Sequence, residues 1–134
     1  MKTYAIVLAV TAAIAGCASF HSDGAYLPKL PTPPLGVEPI RLTGSVGGKL
    51  VVNGGCVKLR QSDGTLLTVL WHHETDLAKS PRAGLINNNT GRFYPLGATV
   101  GVGGGYLSED RATVLYPAVA KRCGGPYATG WFTE

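Results

Sequence analysis

Apolar residues fall into three textures along the chain. Residues 5–15 are apolar at every position except Thr11. Residues 18–39 are poor in aliphatic side chains and are broken by Pro28, Pro31, Pro33, Pro34 and Pro39. From Ile40 onward, short apolar runs alternate with glycine and turn residues. Cys56-Val57-Lys58-Leu59-Arg60 alternates with period two, placing Val57 and Leu59 on one face and Cys56, Lys58 and Arg60 on the other. The pattern predicts strands over 40–44, 50–53, 56–60 and 66–72. Gly54-Gly55 marks a bulge or sharp bend, and Ser62-Asp63-Gly64-Thr65 a hairpin turn. Residues 74–84 read as a loop, 85–86 and 92–96 as short strands around an Asn-rich turn, and 99–107 as a strand interrupted by Gly101, Gly103, Gly104 and Gly105. One late helix is expected, with Ser108 as N-cap, Glu109 and Asp110 in the first turn, and Gly124-Gly125 as the stop. Pro117 starts or kinks its second half, and 127–133 is a final strand. Short, evenly spaced strands and one late α-helix predict a mainly β, small single-domain β-barrel, OB-like in kind, over residues 40–134.

The first sixteen residues have the parts of a secretory signal. Lys2 supplies the positive start, and the apolar run of 11 residues is too short to cross a bilayer, which takes about 20. Ala15 and Gly16 are the small residues a cleavage site needs. Ile14-Ala15-Gly16-Cys17 resembles a bacterial lipobox, an aliphatic and two small residues before cysteine. The resemblance implies a signal peptide over 1–16, a thioether-linked diacylglycerol on Cys17, and acylation of the freed amine by a chain such as palmitate. Two or more acyl chains hold a protein stably on a membrane where one is marginal. Ala18 follows the cysteine where retained lipoproteins often carry Asp. The resemblance therefore implies the periplasmic face of the outer membrane in a cell with two membranes. The plainer reading is a core cysteine in an N-terminal helix.

Removing residues 1–16 from the 134 leaves 118, enough for one small domain. The proline-rich stretch through residue 39 reads as a tether, 17–39. Its 22 residues after Cys17 would reach roughly 60–70 Å as extended polyproline. Alternatively it is an ordered arm, with Tyr26, Leu27, Leu30 and Leu35 docked on the domain. The net charge of +4 is spread along the chain without a basic run or interleaved aromatics, so nothing supports nucleic-acid binding. A solvated surface accounts for it; attraction to an acidic polymer or anionic head groups is the sharper alternative. With Cys17 assigned to lipid, Cys56 and Cys123 remain as an even pair in an oxidising compartment, and a disulfide between them is expected. A zinc or catalytic thiol site is the competing reading, although neither cysteine has a neighbouring His.

Residues 48–59, 69–71, 97–105 and 123–127 occur in an order that resembles small, mostly uncharacterised β-barrel modules of bacterial envelope proteins. The resemblance implies the fold and the disulfide, and brings no catalytic residues. His72-His73-Glu74-Thr75-Asp76 is the densest group of candidate ligands. On a strand, His72 and Glu74 would share a face, with Asp76 joining from the loop, but zinc needs three or four placed ligands and no H-E-x-x-H pattern occurs. These three are weak metal candidates, and a polar strand end is the reading the residues favour. Gly101-Val102-Gly103-Gly104-Gly105-Tyr106 lacks the final glycine of a dinucleotide loop. No cofactor and no catalytic residue is expected. The sequence leads to a lipid-anchored, non-enzymatic binding or structural module of the cell envelope, in contact with membrane lipid through Cys17 and with an envelope protein or polymer. The alternative is a small metal-dependent or hydrolytic envelope enzyme built on His72 and His73.

Overall fold

The structure, a computed structural model, describes residues 25–79 and 81–133. The signal segment 1–16 and Cys17 lie outside the described residues. Five strands form the barrel: β1 (Gly44–Asn53), β2 (Cys56–Arg60), β3 (Leu66–Trp71), β7 (Thr99–Leu107) and β8 (Tyr127–Trp131). They are ordered β1-β2-β3-β8-β7, and β7 pairs back onto β1 to close the wall. β3 and β8 run parallel, and the other barrel pairs are antiparallel. The mainly β, closed small barrel is the fold class the sequence predicts; the strand order is a finding of the structure. Between β3 and β7 the chain forms a second, three-stranded antiparallel sheet from β4 (Thr75–Ala78), β5 (Gly84–Asn87) and β6 (Phe93–Pro95).

Several boundaries differ from expectation for identifiable reasons. The first strand begins at Gly44 and runs through Gly47-Gly48 without a break, whereas Ile40 is exposed and outside it. Gly54 and Gly55, at φ 58° and 77°, form the two-residue turn joining β1 to β2, since Asn53 pairs with Cys56. Two successive left-handed residues match the twist of a tight hairpin, and glycine adopts them without a Cβ clash. The expected loop at 74–84 contains β4, whose polar start hid the strand. The four glycines of β7 leave its pairing to β1 and β8 intact.

The single helix expected is two short ones, α1 (Glu109–Leu115) and α2 (Pro117–Cys123). Ser108 caps α1 as anticipated, its hydroxyl accepting from the Arg111 N–H at 3.2 Å. Pro117 has no N–H to continue the ladder, and Tyr116 takes non-helical angles of φ −132° and ψ 58°, so the axis breaks there.

Two apolar layers result. Inside the barrel, Val46, Leu50, Val57, Leu59, Leu67, Val69, Trp71 and Val102 pack together, with Phe132 stacked between Trp71 and Tyr94. Outside it, Leu70 and Tyr127 meet Ala112 of α1 and Val119 of α2. β2 is thus covered on both sides. Val57 and Leu59 face inward, while Cys56 and Lys58 face α2: Cys56 is bonded to Cys123, and the Lys58 ammonium donates to the Cys123 carbonyl at 2.9 Å. The expected disulfide is present, with Cα atoms 5.8 Å apart.

The proline-rich stretch is partly in the wall. β2 and β3 share only two register pairs, Leu59 with Leu67 and Arg60 with Leu66, and then separate. Tyr26 bridges to β2, donating to Gly55 and accepting from Val57, while Pro28 and Leu30 bond the backbone of Trp71 on β3. Ala25 and Leu27 turn toward the barrel core, and Tyr26 and Leu30 toward the helices. Pro28 is fully buried. Residues 25–30 therefore belong to the domain, as in the ordered-arm reading, whereas Leu35 is fully exposed. No helix among the described residues is long and apolar enough to cross a membrane.

The disulfide closes a separation of 67 residues. In the chain-entropy account a loop of that size contributes about 4 kcal/mol. Cys56→Ala/Cys123→Ala, or full reduction, should lower unfolding free energy in guanidinium by about that amount. A loss under about 1 kcal/mol would show that the bond is not the staple described.

Candidate functional site

The turn that leaves β3 gathers the polar groups singled out in the sequence. The His72 N–H donates to the Gly130 carbonyl on β8, and the Thr75 N–H donates back to the His72 carbonyl, both at 3.0 Å. Residues 72–75 are therefore a tight turn, and the two-residue period that would have put His72 and Glu74 on one strand face does not apply. His72 and Glu74 are buried, at 2% and 5% exposure, while His73 and Asp76 are partly exposed.

Each carboxylate is held by a cation from the arm. Arg41 Nη1 donates to Glu74 Oε1 at 2.6 Å, and its guanidinium lies over the Trp131 ring at 5.1 Å. Lys29 Nζ donates to Asp76 Oδ1 at 2.5 Å and to the His73 carbonyl at 3.1 Å. Asn88, from the turn after β5, donates its amide to Asp76 Oδ2 at 2.5 Å. The two ion pairs fasten both ends of the proline loop, 31–40, to the same turn. Sequence reading missed Lys29, Arg41 and Asn88. The pairs span 47 and 33 positions, a separation that no local pattern encodes.

The metal candidates are not brought together as ligands. Glu74 faces Arg41, Asp76 faces Lys29 and Asn88, and no group of three or more His, Cys, Asp or Glu side chains converges among the described residues. His73 Nδ1 stands 3.5 Å from Glu74 Oε2, within ion-pair range, but Oε2 has no hydrogen-bond partner. Trp71 Nε1, His72 Nε2 and Thr75 Oγ1 are likewise buried without one. His72, His73 and Tyr116 line a cleft of about 290 Å³ whose opposite wall is the proline loop, with Val37 and Ile40.

Burial and the nearby Arg41 charge hold the His72 imidazole below its ordinary pKa, partly opposed by Glu74. Burial works against ionisation of Glu74, but the Arg41 hydrogen bond, its own backbone and the Arg41 and His72 charges outweigh it, so its pKa is lowered. The Lys29 hydrogen bond is the main reason the Asp76 pKa is lowered. The turn is thus built to contain neutral imidazole and two carboxylate anions. Comparison with protein-family models, with curated proteins and with solved structures finds no match to the chain.

All three shifts act in one direction. A fold that holds His72 neutral loses stability as pH falls below the unfolded imidazole value of about 6.5, and one that holds carboxylates ionised loses it as pH falls through their lowered values. The thermal midpoint should begin to fall below about pH 6.5 and drop further below about pH 4. His72→Asn should remove the upper limb and keep the lower one; an unchanged upper limb would assign it elsewhere. Arg41→Met should cost about 3 kcal/mol by stranding a buried carboxylate, and adding Glu74→Gln should restore part of that.

Proposed function

We propose that this chain is a lipid-anchored envelope lipoprotein whose barrel is a non-enzymatic binding or structural module. The anchor rests on Ile14-Ala15-Gly16-Cys17 and the signal segment before it. The observation that carries the non-enzymatic reading is the state of the one cluster with catalytic residue types. Glu74 and Asp76 are engaged with Arg41 and Lys29 in pairs that hold the arm to the barrel. A general base must be free to reach a substrate proton, and a metal ligand must be free of competing cations. The disulfide and the double layer over β2 support the same reading, since they suit a rigid module working outside the cytoplasm.

One observation favours the alternative of a small metal-dependent or hydrolytic enzyme. His72 lines a cleft with Nε2 unpartnered, the arrangement from which a proton acceptor could be built.

Membrane fractions from cells fed labelled palmitate provide the first test. Label should reside on an N-terminal peptide beginning at Cys17, and Cys17→Ser should abolish it. In two-membrane cells the labelled protein should band with the outer membrane. Crosslinking in intact cells should then capture an envelope protein or polymer with similar yield from the parent protein and from His72→Ala/His73→Ala. Loss of a measured hydrolytic activity in that variant, with its fold intact by circular dichroism, would establish the enzyme instead.

A further inference from the structure

The outer face shared by β2, β1 and β7 carries a charge arrangement that the fold does not explain. Lys49 stands directly opposite Arg60 across the β1–β2 ladder, and directly opposite Thr99 across β1–β7. Both cations are exposed. Like charges opposed across a ladder repel and weaken the sheet. No acidic side chain among the described residues lines the cleft of about 670 Å³ that they border. The sheet therefore holds two cations side by side with no described acid between them, an arrangement that an anion lying over it would relieve.

The floor of that cleft is unusual in a second, independent way. Gly101 sits in β7 with ordinary strand angles, and a Cβ there would meet nothing within 4 Å. Neither backbone conformation nor packing requires glycine at this position, and almost any side chain would favour the strand more. Bare backbone in a strand interior suits the close approach of a ligand. Gly101 is also where two neighbouring clefts meet the first, one reaching Tyr94 and Phe132 and the other Ser45 and Trp131. Together they make a trough over β7, and no acidic side chain among the described residues lines it.

We infer that this trough binds an acidic glycan chain, with Lys49 and Arg60 holding a carboxylate or phosphate and Gly101 letting a sugar ring rest on the β7 backbone. Gln61, Ser62 and Thr99 border the same cleft and supply the neutral hydrogen-bonding groups that sugar hydroxyls need. A phospholipid surface shares the anionic chemistry, but burying this face in it would call for protruding apolar side chains. The large exposed apolar residues, Leu35, Val37, Ile40, Leu42, Tyr106, Val114 and Leu115, all lie outside the three clefts. The inference rests on the proposed binding role and names its ligand class.

Affinity electrophoresis of the full protein, purified in detergent, tests it with polygalacturonate as the acidic glycan and dextran as the neutral one. Polygalacturonate should retard the protein and dextran should not, and the effect should fade with added salt. Lys49→Gln/Arg60→Gln should weaken retardation by at least about tenfold, since each charge-assisted contact is worth more than the 1.4 kcal/mol of a factor of ten. Lys79→Gln/Arg111→Gln, with the same loss of net charge, should change it less than about twofold. Gly101→Val should weaken binding while leaving the thermal midpoint unchanged or higher, a combination that a purely structural glycine would not give. Equal losses in the two charge variants would reduce the trough to general electrostatics. No retardation, unaltered binding by Gly101→Val, or tighter binding to phosphatidylglycerol vesicles than to polygalacturonate would each overturn the inference. The mass of the Cys17 peptide from the same preparation reports the anchor separately, so failure of one reading leaves the other measurable.

Discussion

Closure of this barrel depends on a seam that two strands cannot close alone. β2 and β3 pair at only two positions and then diverge, which would leave the backbone groups of Val57 and Trp71 facing an open gap. Unpaired backbone groups inside a protein cost about as much as a lost hydrogen bond each. The arm supplies the missing partners: Tyr26 to Val57, and Pro28 and Leu30 to Trp71. Leu27 enters the barrel core from the same seam, and Tyr26 and Leu30 complete the layer beneath the helices. Both apolar layers are finished by one short stretch of chain, and two ion pairs secure it, one to the buried Glu74 and one to the half-exposed Asp76.

The disulfide and the ion pairs act on opposite sides of that arrangement. Cys56 lies where β2 meets the arm, and its bond to Cys123 draws the end of α2 over the same strand. Lys58 reinforces the join by donating to the terminal carbonyl of α2, the end where the helix dipole favours a cation. At the far end of the arm, Lys29 and Arg41 hold the turn after β3. Burial of His72, together with the nearby Arg41 charge, makes a neutral imidazole the cheaper state and ties the stability of the turn to pH.

What the chain announces of this structure is what depends on near neighbours. The alternation at 56–60, the turn at 62–65, the Ser108 cap and the glycine stop after Cys123 are local chemistry, and each stands where its residues imply. The cysteine pair was legible because the lipobox resemblance set Cys17 aside, leaving Cys56 and Cys123 with only each other. The arm was not, because a proline-rich stretch signals what a backbone cannot donate and is silent about what it can accept. Pro28 contributes a carbonyl to Trp71, and nothing in the residues around it marks that acceptor as used. The turn at His72 failed as a strand for a similar reason: its geometry is set by Gly130, which lies 58 positions away in β8. The basic pair on the outer sheet face was visible as two scattered residues, and only the β1–β2 register makes them neighbours.

The stitched-in arm also determines how the domain would bear a mechanical load. If Cys17 is held in lipid, the chain between it and Ala25 can span at most roughly 28 Å when fully extended. Any tug on the membrane end then enters the barrel at Tyr26, in the middle of its weakest wall. The first elements to resist are a few backbone hydrogen bonds and the wedged Leu27 and Pro28, followed by the Lys29–Asp76 pair. Peeling them would release the length of chain up to Gly44 while Cys56–Cys123 kept the remaining strands and α2 in register. The same segment thus serves as wall, clasp and spare rope.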